Sequence, residues 1–169
     1  MNQNHEYSAM KLSLCAVGRL KKGPETELYQ RYGDRIVNSG KAVGIGPLKL
    51  LEIAEANGGT SQIRRSLEAD KLIDLSQSSD YCIALDEGGK SLTSREFSGL
   101  LGNARDDGYQ MMSFLIGGAD GHGDQIKQHA RMSLTLGRMT LPHGLARVVL
   151  VEQIYRAITI MSGHPYHRD

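Results

Sequence analysis

Two histidines, a tyrosine and an arginine stand together in Gly163-His-Pro-Tyr-His-Arg168, just before the final Asp169. An imidazole takes up a proton near neutral pH, a guanidinium favours a developing anion, and a phenol stacks on a flat ring or donates to it. Chain ends are ordinarily polar and loosely held. This one follows directly on the long apolar stretch Leu145–Met161. A buried helix that delivers such groups is expected to place them in a site. Two further segments carry possible chemistry. Gly117-Gly-Ala-Asp-Gly-His-Gly123 offers glycines that let a ligand approach the backbone, with free amides at a helix start that attract anions. Arg138-Met-Thr-Leu-Pro-His143 reads as a strand halted by Pro142, whose last N–H and C=O groups are free to read the edge of a flat ring such as adenine.

Several common sites are excluded or weakened by spacing. No G-x-G-x-x-G dinucleotide fingerprint and no G-x-S-x-G nucleophile elbow occurs. His122, His129, His143, His164 and His167 form no H-x-x-x-H pair and the cysteines do not join them, so no metal is expected. Ala84-Leu-Asp-Glu-Gly-Gly-Lys-Ser91 resembles a phosphate-binding loop, G-x-x-x-x-G-K-[ST], but opens on alanine and lacks a second strand ending in a magnesium-binding aspartate. It is retained as a degenerate P-loop nucleotidase, the main rival from the residues alone.

The elements that must position these groups alternate. Strands are expected at Lys11–Val17, Leu48–Ala54, Tyr81–Leu85, Met111–Ile116 and Arg138–Leu141. Helices are expected from Pro24 to near Gly40, from a Thr60 or Ser61 cap to about Leu75, from the capping box Thr93-Ser-Arg-Glu96 to about Arg105, over Asp124–Leu134, and over Leu145–Met161. Such alternation implies an α/β fold, a parallel sheet with helices on both faces, and ligands beyond the carboxyl ends of the strands. The loops after Leu85, Ile116 and Leu141 are therefore the informative ones. On the last helix, Glu152, Arg156 and Thr159 make one polar stripe flanked by Gln153, with Arg147 apart from it. Apolar residues cover nearly all the rest, which implies burial on two sides: one against the sheet, the other against a second copy of the chain.

A chain of 169 residues fits one domain with a full core. No apolar run is long enough to cross a bilayer and no basic-then-apolar signal pattern opens the chain, so no membrane partner and a cytoplasmic location are expected. Residues 1–9 read as an extension, disordered or of extraneous origin, with a single domain over 10–169. Cys15 and Cys82 read as small core residues. The net charge of +1 gives no global nucleic-acid signature. Yet Lys11 to Lys41 holds seven Lys or Arg against three acids, with Arg19, Lys21 and Lys22 on one loop. Such a patch either meets phosphates or is a solvated face.

Taken together, Val17-Gly18, Leu85-Asp86-Glu87, Ile116-Gly-Gly118 with Gly121, Thr140-Leu-Pro-His143, Arg147-Val-Val149, Glu152-Gln-Ile-Tyr-Arg-Ala157 and the terminal Gly163–Arg168 resemble the RlmH family. These are small SPOUT-class methyltransferases acting on N3 of a pseudouridine in 23S ribosomal RNA. The resemblance runs from Met10 to the end. The segment Gly40–Pro47 and the stretch after Glu87 lie where such proteins vary. It implies a parallel-sheet SPOUT fold with a C-terminal trefoil knot, an exception to the rule that chains do not thread loops. It implies S-adenosylmethionine bound by Leu85, Gly117, Gly118, Gly137, Arg138, Met139, Thr140, Leu141 and Pro142. It implies a homodimer working on the ribosome. For that chemistry Tyr166, His167, Arg168 and Arg156 are expected at the reacting base, and Arg19, Lys21 and Lys22 on the RNA. His143 is expected to be a structural hydrogen-bonder. A non-catalytic nucleotide- or RNA-binding α/β domain is the remaining alternative.

Overall fold

A computed structural model describes residues 9–168; most of the expected N-terminal extension lies outside the described residues. Five parallel strands form one sheet, β1 (Met10–Val17), β2 (Ile45–Ile53), β3 (Tyr81–Ser91), β4 (Met111–Ile116) and β5 (Met132–Thr135), in the order β2-β1-β4-β3-β5. Five α-helices connect them: α1 (Pro24–Gly40), α2 (Ser61–Leu75), α3 (Ser94–Asp106), α4 (Asp124–His129) and α5 (His143–Ser162). The α/β class and the helices on both faces stand as expected.

Period-two alternation sorts the strand residues between two cores. Leu12, Leu14 and Ala16 of β1 join Ile36 of α1, Leu101 of α3 and Ile154 and Ile158 of α5 on one face. Cys15 and Val17 of the same strand join Ala69 and Leu72 of α2 and Ile126 of α4 on the other, with Cys82. Burial on both faces is why β1 and β4 read as continuous apolar runs. The helix starts follow their local chemistry. Thr60 caps α2 by accepting from the Ile63 amide, and Thr93 with Glu96 completes a reciprocal capping box on α3.

Three expectations are corrected. The stretch Asp124–Leu134 is not one helix: α4 stops at His129, Ala130 turns extended, and the Arg131 amide donates to Cys82 O. Met132-Ser-Leu-Thr135 then becomes the fifth strand. A short apolar run fits a helix or a strand equally, and here the open edge of β3 decided the outcome. Consequently Arg138–Leu141 is not a strand. The Thr135 hydroxyl accepts from the Gly137 amide and donates to Gly137 O, which closes β5, and the chain runs irregularly to Pro142 at the cap of α5. The phosphate-loop reading of 84–91 also fails. All of that segment is β3 itself, with a register shift between Leu85 and Lys90 where it pairs with β5, and no helix starts on its lysine.

Candidate functional site: a cavity at the strand ends and a docked tail

At the bulge of β3 and beyond the ends of β4 and β5, the chain lines a cavity of about 410 Å³. That volume suits a small molecule. Each loop is pinned. The β3 bulge is braced by Asp86, whose carboxylate accepts from the Gly88 amide at 2.9 Å. Glu87 accepts from the Thr140 hydroxyl at 2.7 Å and so ties this bulge to the segment after β5. The glycine loop after β4 closes through a Gly121 amide bond to Gly118 O, and Arg64 of α2 grips its Asp120 at 2.7 and 3.1 Å. Gly118 leaves no room for a side chain, since a Cβ there would lie 2.5 Å from a Glu68 carboxylate oxygen. Glu68 is buried, and its other oxygen accepts from the Ala56 amide.

Of the residues expected at a methyl donor, Leu85, Gly117 and Gly118 line the cavity on one side. Gly137, Met139, Thr140 and Leu141 line it on the other. Arg138 and Pro142 are exposed and do not line it. The first helical turn, through His143 and Ala146, completes the wall.

Sequence reasoning had passed over His122 except to discount it as a metal ligand. Its ring is buried under the glycine loop, with Nε2 at 3.1 Å from Leu115 O. Burial pushes its pKa down, against weaker upward pulls from the Leu115 carbonyl, Asp86 and Leu85. Glu87 and Asp120 were likewise not singled out as site residues. The signal for Glu87 was its place in the Leu85-Asp86-Glu87 motif. No spacing rule links Asp120 to Arg64.

The tail lies elsewhere. Gly163 ends α5 in a left-handed conformation, and the His164 amide donates to Thr159 O, turning the chain back along the helix. Tyr166 then donates from its hydroxyl to Glu152 at 3.0 Å and packs edge-on against Tyr155. The Arg156 guanidinium holds Glu152 at 2.5 Å, lies 4.8 Å over the Tyr166 ring and reaches His167 Nδ1 at 3.2 Å. Because a guanidinium only donates, Nδ1 accepts, and a neutral His167 ring carries its proton on Nε2. Burial and its hydroxyl and carboxylate neighbours push the Tyr166 phenol up, and the Glu152 contact pushes Arg156 up. Tyr166, His167 and Arg156 are thus brought together, with the exposed Arg168 beside them. Glu152 is nine residues beyond His143, about 14 Å along the helix. The tail cluster and the cavity therefore occupy different parts of α5.

Arg19, Lys21 and Lys22 are exposed and border a smaller cleft of about 220 Å³, which shares His143 with the larger cavity. The basic loop and the cavity accordingly lie at the same end of the sheet. Among the described residues no cluster of three or more His, Cys, Asp or Glu stands together as a metal cage, and no helix is long and apolar enough to cross a membrane.

This arrangement of sheet, bent loops and terminal helix defines a class. Residues 10–167 match the family model described as "Predicted SPOUT methyltransferase", and the chain belongs to the SPOUT methyltransferase family. Among its relatives is the ribosomal RNA large subunit methyltransferase H of Rhizobium leguminosarum bv. trifolii, 45% identical over 159 residues that cover 94% of this chain and 99% of that one. Proteins of the same name from Methylocella silvestris and Brucella anthropi are 44% and 43% identical, each over 95% of this chain and 100% of their own. A methylase family protein from Haemophilus influenzae Rd KW20 shares the fold, with a TM-score of 0.50 over 94% of this chain and 70% of that one at 9% identity.

Proposed function

We propose that this chain methylates N3 of a pseudouridine in 23S ribosomal RNA, taking the methyl group from S-adenosylmethionine and acting as a cytoplasmic homodimer on the assembled ribosome. The observation that carries the reading is the cavity itself. Three loops distant in sequence converge on one space of suitable size, walled by glycines and by backbone that is not committed to the sheet.

The residues present fit the donor. Leu85, Gly117, Gly118, Gly137, Met139, Thr140 and Leu141 would hold it, with backbone groups of the irregular 137–141 segment facing the flat base. When bound, it supplies a methyl group already activated on a sulfonium. What remains for the protein is alignment and one proton. The N3–H of pseudouridine is a weak acid, so the chain must take that proton or favour the anion. His167 and Arg168 are the groups for this, with Tyr166 stacking on the base and Arg156 holding the histidine. For His167 to act as a base through Nδ1, Arg156 must release that nitrogen. The tail of one chain lies well away from its own cavity, so it would serve the cavity of a partner. The face of α5 left partly open at Leu145, Val148 and Val149 supports such a pairing. The threading of the C-terminal segment as a trefoil knot belongs to the same proposal. The exposed Arg19, Lys21 and Lys22 would meet RNA phosphates.

Ribosomes from a strain lacking its own enzyme of this kind, incubated with the protein and labelled S-adenosylmethionine, should gain one methyl group, which mapping places on a pseudouridine of the large-subunit RNA. Donor binding without any transfer would favour a non-catalytic binder. ATP binding without donor binding would overturn the reading altogether.

A further inference from the structure

Arg147 stands apart from the polar stripe of α5 and is 1% exposed, inside an otherwise apolar stretch of helix. Removing a guanidinium from water is expensive, and the burial pushes its pKa down. Its partners show where that cost is offset. One terminal nitrogen donates to Glu52 of β2 at 2.7 Å. The other donates to two carbonyls at the end of β1, Val17 at 2.9 Å and Gly18 at 2.7 Å. The same Glu52 oxygen accepts from the Leu20 amide at 2.8 Å. Gly18 has φ +84°, a conformation that side chains resist. A Cβ there would also approach the Glu55 carboxylate at 3.3 Å.

All these bonds converge on the short loop that carries Arg19, Lys21 and Lys22. The loop is therefore fastened at both Gly18 and Leu20, while its cations stay exposed and pair with no acid among the described residues. Arg147 directly follows Ala146, which helps wall the cavity. One turn of α5 thus sets the height of the basic loop relative to that wall.

We infer that Arg147, with Glu52, is a positioning residue: it fixes the basic loop beside the donor cavity so that the exposed cations of that loop bind the RNA backbone together. This rests on the function proposed above. A fork of N–H groups is needed to span two carbonyls and a carboxylate, and a lysine offers a single point.

In Arg147→Lys the KM for ribosomes should rise about tenfold, the scale of one lost charge-assisted contact. The kcat and the calorimetric affinity for S-adenosylmethionine should stay within about threefold. Lys21→Ala with Lys22→Ala should raise KM by itself, and adding it to Arg147→Lys should raise KM little further, because both act through one loop. Unchanged KM, effects that multiply, or an equal loss of donor affinity would each overturn the inference. Glu52→Gln supplies the same comparison if the lysine variant does not fold. Amide hydrogen exchange at Leu20 reads the fastening without RNA. It should quicken in either variant, and unchanged protection would overturn the inference even if ribosomes prove not to be the substrate. If wild-type protein leaves ribosomes unmethylated while Leu20 exchange still responds, the proposed function fails and the fastening stands.

Discussion

The cavity and the tail cluster, two regions on one helix, are built from different materials. The cavity is made of backbone: glycine loops, a strand bulge and an irregular segment, stitched by Asp86–Gly88, Glu87–Thr140 and Arg64–Asp120. The tail cluster is made of ionisable side chains, Glu152, Arg156, Tyr166 and His167, around a single carboxylate. Backbone walls fix shape and leave little to adjust. The tail's groups are only partly buried, with the Arg156 and Glu152 side chains 25% and 17% exposed, and side chains that still reach water can exchange partners as a fixed backbone wall cannot. A methyl donor of constant structure suits the first construction. An RNA base that must be met, deprotonated and released suits the second.

Damage to the two regions should therefore separate into rate and affinity. The largest effect is expected for His167→Ala. It should lower kcat by about a hundredfold or more, the usual scale for a general base, while donor affinity stays within a few fold. Single-turnover methylation of ribosomes beside calorimetry with S-adenosylmethionine separates the two, and normal turnover would remove His167 from the mechanism. Gly118→Ala should do the reverse. Its new methyl would meet the Glu68 carboxylate, so the loop must shift and donor affinity should fall about tenfold or more. The edge-on packing of Tyr166 against Tyr155, read by its ring-proton shifts, should be untouched. Loss of that signature in Gly118→Ala would show that the two regions are not independent.

The same contrast governs what could be read from the chain. Alternating apolar runs and caps such as Thr93-Ser-Arg-Glu96 are local signals, and they marked four strands and the α/β class. The fifth strand was misplaced because Met132–Thr135 has no local signature. Only its pairing with β3, from Ile83 to Leu85 and again at Lys90 and Ser91, makes it a strand. The glycine loop and the tail were visible as unusual compositions. The residues that secure them were not, since Arg64 meets Asp120 across 56 positions and Arg147 meets Val17 across 130. Arg147 was visible only as a charge off the polar stripe. Its burial is a property of the packed sheet end.

The smallest expected effect concerns pH, and it falls on the cavity alone. Burial holds His122 below its ordinary pKa of 6.5, so the folded protein keeps the ring neutral where the unfolded chain protonates it. Below about pH 6.5 the unfolded state then binds the extra proton, and stability falls as the pH drops. Above that value the contribution is complete. One such proton limits the slope to about 1.4 kcal/mol per pH unit. Asp86 partly offsets the depression and Lys127 deepens it. His122→Asn removes the titration while keeping an N–H for Leu115 O. Chemical denaturation at pH 7 and pH 5 should show a smaller loss of stability in the variant than in the parent. Donor affinity of the folded parent should change less than its stability over the same interval, because His122, which lines the cavity, resists the proton in the folded state. Equal slopes in both proteins would mean that the folded protein takes up a proton at His122 as readily as the unfolded chain does, so that burial does not hold the ring neutral and the cavity is no more sensitive to acid than the tail.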